Sequence, residues 1–141
     1  MHMEKSIKDI QKDVCTLEDI VFEIARVLEE NDREDKALTA FNNEFAYFLW
    51  GNSEDDSGKY EDSIENHYLG SIDSDDVELR RYFMHTFISF LVVFFRIYYD
   101  YLLEKDADGK VKTDENYNPI FTENGRIVKK MYDEYLNFEI K

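Results

Sequence analysis

The stretch that decides the fold is residues 87–95, which read FISFLVVFF. It ends at Arg96, and Asp100 follows soon after, so it is too short to cross a bilayer, which needs about 20 apolar residues. A helix segment that is apolar on every side is covered by its neighbours. We therefore expect a central apolar core helix over about residues 75–104, with Ser74 or Asp75 as its cap.

Two amphipathic helices are predicted before this core helix. Apolar side chains recur at intervals of three and four residues between Ile7 and Leu28, which predicts a helix over about residues 4–31. A second helix should follow residue 32 and end at Gly51, because glycine suits a helix C-terminus.

The chain after the core helix contains turns, a predicted small β-hairpin and a last helix. Asp106-Ala107-Asp108-Gly109 is typical of a turn, the hairpin would occupy residues 110–121, and Thr122 would start the last helix. We find no internal repeat and no linker to a second domain. Residues 1–141 therefore predict a single all-α domain, a four- to five-helix bundle with an acidic loop over residues 51–76.

The net charge is strongly negative and unevenly distributed. The chain has 17 Lys and Arg against 32 Asp and Glu, a formal charge of −15. Residues 51–79 hold 10 acids and 1 base, whereas residues 80–141 hold 10 of each. Because such a surface repels phosphate backbones and anionic lipids, we expect neither direct nucleic-acid binding nor membrane binding.

Nine carboxylates in residues 51–76, which we call the acidic segment, are the candidate partner-binding residues. Packed carboxylates destabilise a compact state, so their concentration favours a docking surface for a basic partner over a general solubility device. Lys59 alone opposes them. The candidates are Glu54, Asp55, Asp56, Glu61, Asp62, Glu65, Asp73, Asp75 and Asp76.

Residues 104–115, EKDADGKVKTDE, resemble an EF-hand calcium loop. The resemblance implies oxygen ligands from Glu104, Asp106, Asp108 and Glu115. Lys112 places a positive charge at the ninth position of the loop, and Pro119 obstructs an exit helix. We therefore favour a simple turn that opens a hairpin, and calcium binding is the first alternative.

A second local pattern is R-x4-H at the start of the core helix. Arg80 and His85 have this spacing, which resembles the motif of the helical HEPN ribonucleases and implies RNA cleavage. The other interpretation is structural: Arg80 and Arg81 would pair with nearby acids and His85 would be half-buried. A ribonuclease is the second alternative.

The remaining signals favour a non-enzymatic protein of the cytoplasm. Cys15 is the one cysteine of the sequence, so no internal disulfide forms, and we expect it to be packed and inert. We expect no cofactor. The predicted function is stoichiometric occlusion of a basic protein, a toxin or a nucleic-acid-binding enzyme, as immunity proteins and DNA-mimic inhibitors of restriction or CRISPR nucleases do. The sequence leaves homodimer formation through the aromatic helices open.

Overall fold

The protein is represented by a computed structural model that describes residues 5–50 and 75–137, and these residues contain four α-helices. They are α1 (Ile7–Glu30), α2 (Lys36–Trp50), α3 (Val77–Ile97) and α4 (Glu123–Leu136). A short 3-10 turn, Tyr99–Leu102, follows α3. The predicted all-α bundle is therefore confirmed. Helix α1 was predicted to within three residues at each end.

Side-chain caps fix where the helices begin. The Ser6 hydroxyl accepts the N–H of Asp9, and the Thr122 hydroxyl accepts the N–H of Gly125, as the predicted start at Thr122 requires. Helix α3 is capped by Asp76, which differs by one residue from the nearer of the two predicted caps. Asp35 accepts the N–H of Leu38 at 3.1 Å in the first turn of α2.

Aromatic rings hold α3 between α2 and α4. On the α2 side, Phe41 lies 5.8 Å from Phe94 between ring centroids, and Phe48 lies 5.3 Å from Phe83. On the α4 side, Phe95 stacks on Tyr132 at 4.3 Å. Helix α1 packs against α2 and α4 and closes the bundle.

Helix α3 is shorter than predicted, and one face of it is open. It ends at Ile97 and not near residue 104, because the chain tightens into the 3-10 turn and buries Leu102 completely. The backbone carbonyl of Leu102 then accepts the N–H of Thr122 at 2.9 Å. On the outer face of α3, Val93 is 44% exposed and Ile97 67% exposed.

Residues 103–121 form a small β segment in which three extended stretches pair in a cycle. The N–H of Glu104 donates to the carbonyl of Ile120 at 2.8 Å, that of Ile120 to Lys112 at 3.0 Å, and that of Lys112 to Glu104 at 2.9 Å. These three residues lie eight positions apart. The predicted hairpin is present as isolated antiparallel bridges, of which Thr113–Pro119 lies within the predicted range.

In the two described ranges, no helix combines the length and the apolar character that crossing a membrane requires.

Candidate partner-binding surface

Two of the nine candidate partner-binding residues lie where the structure describes the chain. Asp75 and Asp76 are exposed immediately before α3. One carboxylate oxygen of Asp76 accepts hydrogen bonds from the N–H groups of Glu78 at 3.0 Å and Leu79 at 3.3 Å, so this residue also caps α3. The other seven fall outside the described residues: Glu54, Asp55, Asp56, Glu61, Asp62, Glu65 and Asp73.

The acidic segment is attached to fixed helix ends on both sides. At its start, Trp50 is only 7% exposed and donates its indole N–H to both oxygens of Glu18 on α1, each at 2.9 Å. At its end, the Asp76 cap sets the beginning of α3. Since negative charge is favourable at a helix N-terminus, the segment finishes where carboxylates are best tolerated.

Glu18 is a mostly buried carboxylate without a cation beside it in the described chain. Burial raises its pKa, the Trp50 hydrogen bond acts in the opposite direction, and the neighbouring charge of Asp19 adds to the increase. The anionic form of Glu18 therefore costs free energy, and the indole N–H offsets part of that cost.

A second concentration of acids lies at the turn between α1 and α2 and was not singled out from the sequence. Five carboxylates fall within residues 29–35, and no basic residue occupies the last turn of α1. This turn and the acidic segment join opposite ends of α2, which is about 22 Å long at 1.5 Å per residue. The described acids therefore do not converge on one patch. The five are Glu29, Glu30, Asp32, Glu34 and Asp35.

The EF-hand-like residues adopt a different arrangement. A carboxylate oxygen of Asp106 accepts hydrogen bonds from the backbone N–H groups of Asp108 at 2.8 Å and Lys110 at 3.0 Å. These bonds form the simple turn that we favoured. The Glu104 carboxylate faces Lys112 at 3.9 Å. No group of three potential ligands that could hold a metal ion occurs among the residues with described positions. The structure thus does not assemble Glu104, Asp106, Asp108 and Glu115 as a calcium site.

Arg80 and His85 lie on different sides of α3, since five residues of helix correspond to about 140° of rotation. His85 is exposed and not half-buried as the structural interpretation expected, whereas Arg80 is partly covered. Its neighbour Arg81 pairs with Glu78 at 3.7 Å. The ribonuclease alternative stays a sequence prediction.

Cys15 lies on α1, partly buried beside the core cluster. Burial raises the pKa of its thiol to about 11, and the charges of Glu18 and Asp19 add to this effect. Because the thiolate is the nucleophile, Cys15 at neutral pH is a packing residue, as the sequence analysis expected.

A groove of about 600 Å³ runs between the C-terminal half of α1, the 3-10 turn and the β segment. Arg33 and Lys105 line it together with Glu23, Asp100 and Asp106. Lys105 already pairs with Asp100, at 3.2 Å to the carboxylate and 2.6 Å to the carbonyl oxygen. Both signs of charge are therefore present, and the lining does not select an anionic or a cationic ligand.

Exposed apolar side chains form a patch on α2 and α3. Tyr47 is 59% exposed and lines a groove of about 380 Å³ with Asn43, Glu44 and Phe90. Val93 and Ile97 continue the patch along α3, three and seven residues beyond Phe90. Apolar patches of this kind are typical of protein contact sites. The apolar character of residues 87–95 indicated that this part of α3 packs against other surfaces. The sequence alone did not show which face of the helix is buried and which is exposed.

Comparison with protein-family models, with curated proteins and with solved structures finds no match for this chain. Functional assignment therefore depends on the chemistry of its own surface.

Proposed function

We propose that this protein is a stoichiometric, non-enzymatic inhibitor that binds a basic surface of another protein and blocks it. The partner would be a toxin or a nucleic-acid-binding enzyme, as for immunity proteins and for DNA mimics that act against restriction or CRISPR nucleases. The observation that carries the proposal is the concentration of charge: residues 51–79 contribute −9 of a total of −15, and −8 of this lies between the end of α2 and the start of α3.

Two further features support a binding role. The open apolar patch of Tyr47, Val93 and Ile97 offers contact area of the kind that protein interfaces use. The lone thiol is held protonated near neutral pH, so Cys15 is unsuited to nucleophilic chemistry. A partner with a positive surface would be attracted and oriented by the field of the acidic segment, which raises association rates.

The test is capture of the partner at low salt from cells that contain the protein, followed by identification and purification of what is bound. We expect one dominant protein with a basic surface, whose activity on nucleic acid or on its cellular target is lost at a one-to-one ratio. Retention of that protein should fall steeply as the salt concentration is raised from 50 to about 500 mM.

Charge variants make the test specific to the acidic segment. In the first variant Asp55, Asp56 and Asp62 become Asn and Glu61 becomes Gln, which removes four charges. The matched control removes four charges from the α1–α2 turn by changing Glu29, Glu30 and Glu34 to Gln and Asp32 to Asn. Loss of the partner in the first variant alone is expected; equal retention by both variants would refute the proposal.

A further inference from the structure

Two turns of the β segment have the same hydrogen bonds but different residues at the position that needs a left-handed backbone. That position is Gly109 in the first turn, with φ of 79°, and Tyr117 in the second, with φ of 64°. The N–H of each donates to the carbonyl of an Asp three residues earlier, Asp106 or Asp114, at 3.0 Å in both turns.

The side-chain bonds of the two turns also correspond. An oxygen of Asp106 accepts N–H groups two and four residues further on, at 2.8 and 3.0 Å. An oxygen of Asp114 does the same with Asn116 at 2.8 Å and Asn118 at 3.0 Å. The two turns are therefore equivalent, and Gly109 shows what the backbone prefers where Tyr117 stands.

A tyrosine is an unfavourable choice at this position. Glycine adopts a positive φ without steric conflict, and asparagine tolerates it, whereas bulky side chains rarely do. At most of the positions where a bulky residue adopts this conformation, contacts elsewhere compensate for the strain.

The fold provides no such compensation at Tyr117. Its side chain is 85% exposed and is not part of the core cluster. Within residues 5–50 and 75–137, its ring stacks on no other ring and its hydroxyl forms no hydrogen bond. A strained and exposed aromatic residue is thus held outward by a turn that would be more stable with glycine.

We propose that Tyr117 is an anchor residue that inserts into an apolar slot on the basic partner, so this inference rests on the proposed function. Tyrosine is enriched among the residues that dominate binding energy, and a ring held in place by a turn loses little conformational freedom on binding. Asp114 and Glu115 are exposed and precede Tyr117 by three and two residues, so the slot should be bordered by Lys or Arg. Two backbone N–H groups lower the pKa of Asp114, which keeps that carboxylate charged.

The test uses Tyr117→Asn, which suits a positive φ and removes the ring. We expect the melting temperature to stay the same or to rise by roughly 2–4 °C, because strain is relieved. Affinity for the purified basic protein captured above should fall about 30-fold, as for loss of a dominant interface residue. A variant that is at least as stable but binds weakly is the signature of an anchor and not of a structural residue.

Two controls separate the ring from general effects. Tyr117→Phe keeps the ring and should retain affinity within a few-fold. Phe22→Gln removes an aromatic side chain that is 55% exposed from an ordinary position on α1 and should leave affinity nearly unchanged.

Three results would overturn the inference. They are unchanged affinity of Tyr117→Asn, a lower melting temperature of that variant, and an equal loss of affinity in Phe22→Gln. If Tyr117→Asn binds normally while the four-charge variant of the acidic segment does not, the anchor is wrong and the proposed function stands. If no basic partner is captured, both are wrong.

Discussion

Tyr135 shows how a polar group is accommodated at the centre of this bundle. It is 1% exposed, and its hydroxyl donates to Asp13 on α1 at 2.7 Å. The ammonium group of Lys5 forms ion pairs with the same Asp13 carboxylate at 2.6 Å and with Glu134 at 3.1 Å. It also lies over the Tyr135 ring. This cluster joins the start of the chain to α1 and α4 with every member bonded.

Replacing Tyr135 by Phe tests this cluster. The free energy of unfolding should fall by about 1–2 kcal/mol at pH 7, because the hydrogen bond to a carboxylate is lost while the ring contacts remain. Urea unfolding measures the change. A loss below 0.5 kcal/mol would show that the hydroxyl contributes little, and Tyr47→Phe, at an exposed position, serves as the control.

The same residue predicts how stability depends on alkaline pH. Burial and the bond to Asp13 raise the pKa of Tyr135, and burial with the Asp35 bond raises that of Tyr101 to about 12. Above pH 10 the unfolded chain releases these protons while the folded chain keeps them, so unfolding becomes easier as the pH rises. The decrease in stability between pH 10 and 12 should be smaller in Tyr135→Phe than in the unchanged protein.

Glu18 gives a pH dependence of the same sign at acidic pH, because its ionised form is unfavourable in the folded state. Its raised pKa means that the stability it contributes is present below about pH 4.5 and is lost as the pH rises through the folded-state pKa. Glu18→Gln should therefore be as stable as the unchanged protein at pH 7 or more stable, since the amide oxygen still accepts the Trp50 N–H.

Urea unfolding at pH 7 and pH 4 tests the Glu18 prediction. Any advantage of Glu18→Gln at pH 7 should shrink at pH 4, where the carboxyl group is protonated in the folded state. Glu44→Gln, at an exposed position on α2, should change stability little at either pH. A clear loss of stability in Glu18→Gln at pH 7 would mean that the charge itself is needed.

At the scale of elements, the sequence predicted the helices well because their signals are local. The three- and four-residue spacing of apolar side chains and the Thr122 cap lie within a few residues of the structure they specify. The end of α3 could not be predicted in this way. Nothing between Ile97 and Leu102 breaks a helix, and the turn there depends on Leu102 bonding to Thr122, 20 residues further on.

The equivalence of the two turns of the β segment was not predicted, for a related reason. It is carried by turn residues, Asp106 with Gly109 and Asp114 with Tyr117, and not by an apolar pattern. Aligning those two turns would have drawn attention to Tyr117, which the sequence could have indicated, as it could the acids of the α1–α2 turn. The partner-binding surface is less predictable still, because whether carboxylates share a face depends on how the helices pack.

Gly125 marks a close approach between α4 and the 3-10 turn and gives a test of their packing. A Cβ at this position would lie 2.1 Å from the backbone oxygen of Leu102, which cannot move as a flexible side chain would. Gly125→Ala should lower the free energy of unfolding by about 1–3 kcal/mol, although alanine favours helices. Lys130→Ala, exposed on the same helix, should stay within about 0.5 kcal/mol; equal effects of the two changes would contradict the packing described here.

At the scale of the whole molecule, charge is the dominant feature. In the chain, the α1–α2 turn precedes α2 and the acidic segment follows it, so acidic residues flank this helix on both sides. Mutual repulsion of this kind weakens the compact state, and a bound basic partner would relieve it. The free protein is therefore less stable than it would be without this repulsion, which is consistent with a protein that functions in a complex.

The measurement that tests this account most directly is the association rate constant for the captured basic protein as a function of salt. We predict a rate constant that falls steeply with salt and that is about tenfold or more lower in the four-charge variant of the acidic segment, with a smaller change in the α1–α2 turn variant. Rate constants that are independent of salt, or equal in the two variants, would contradict the claim that the acidic segment is the docking surface.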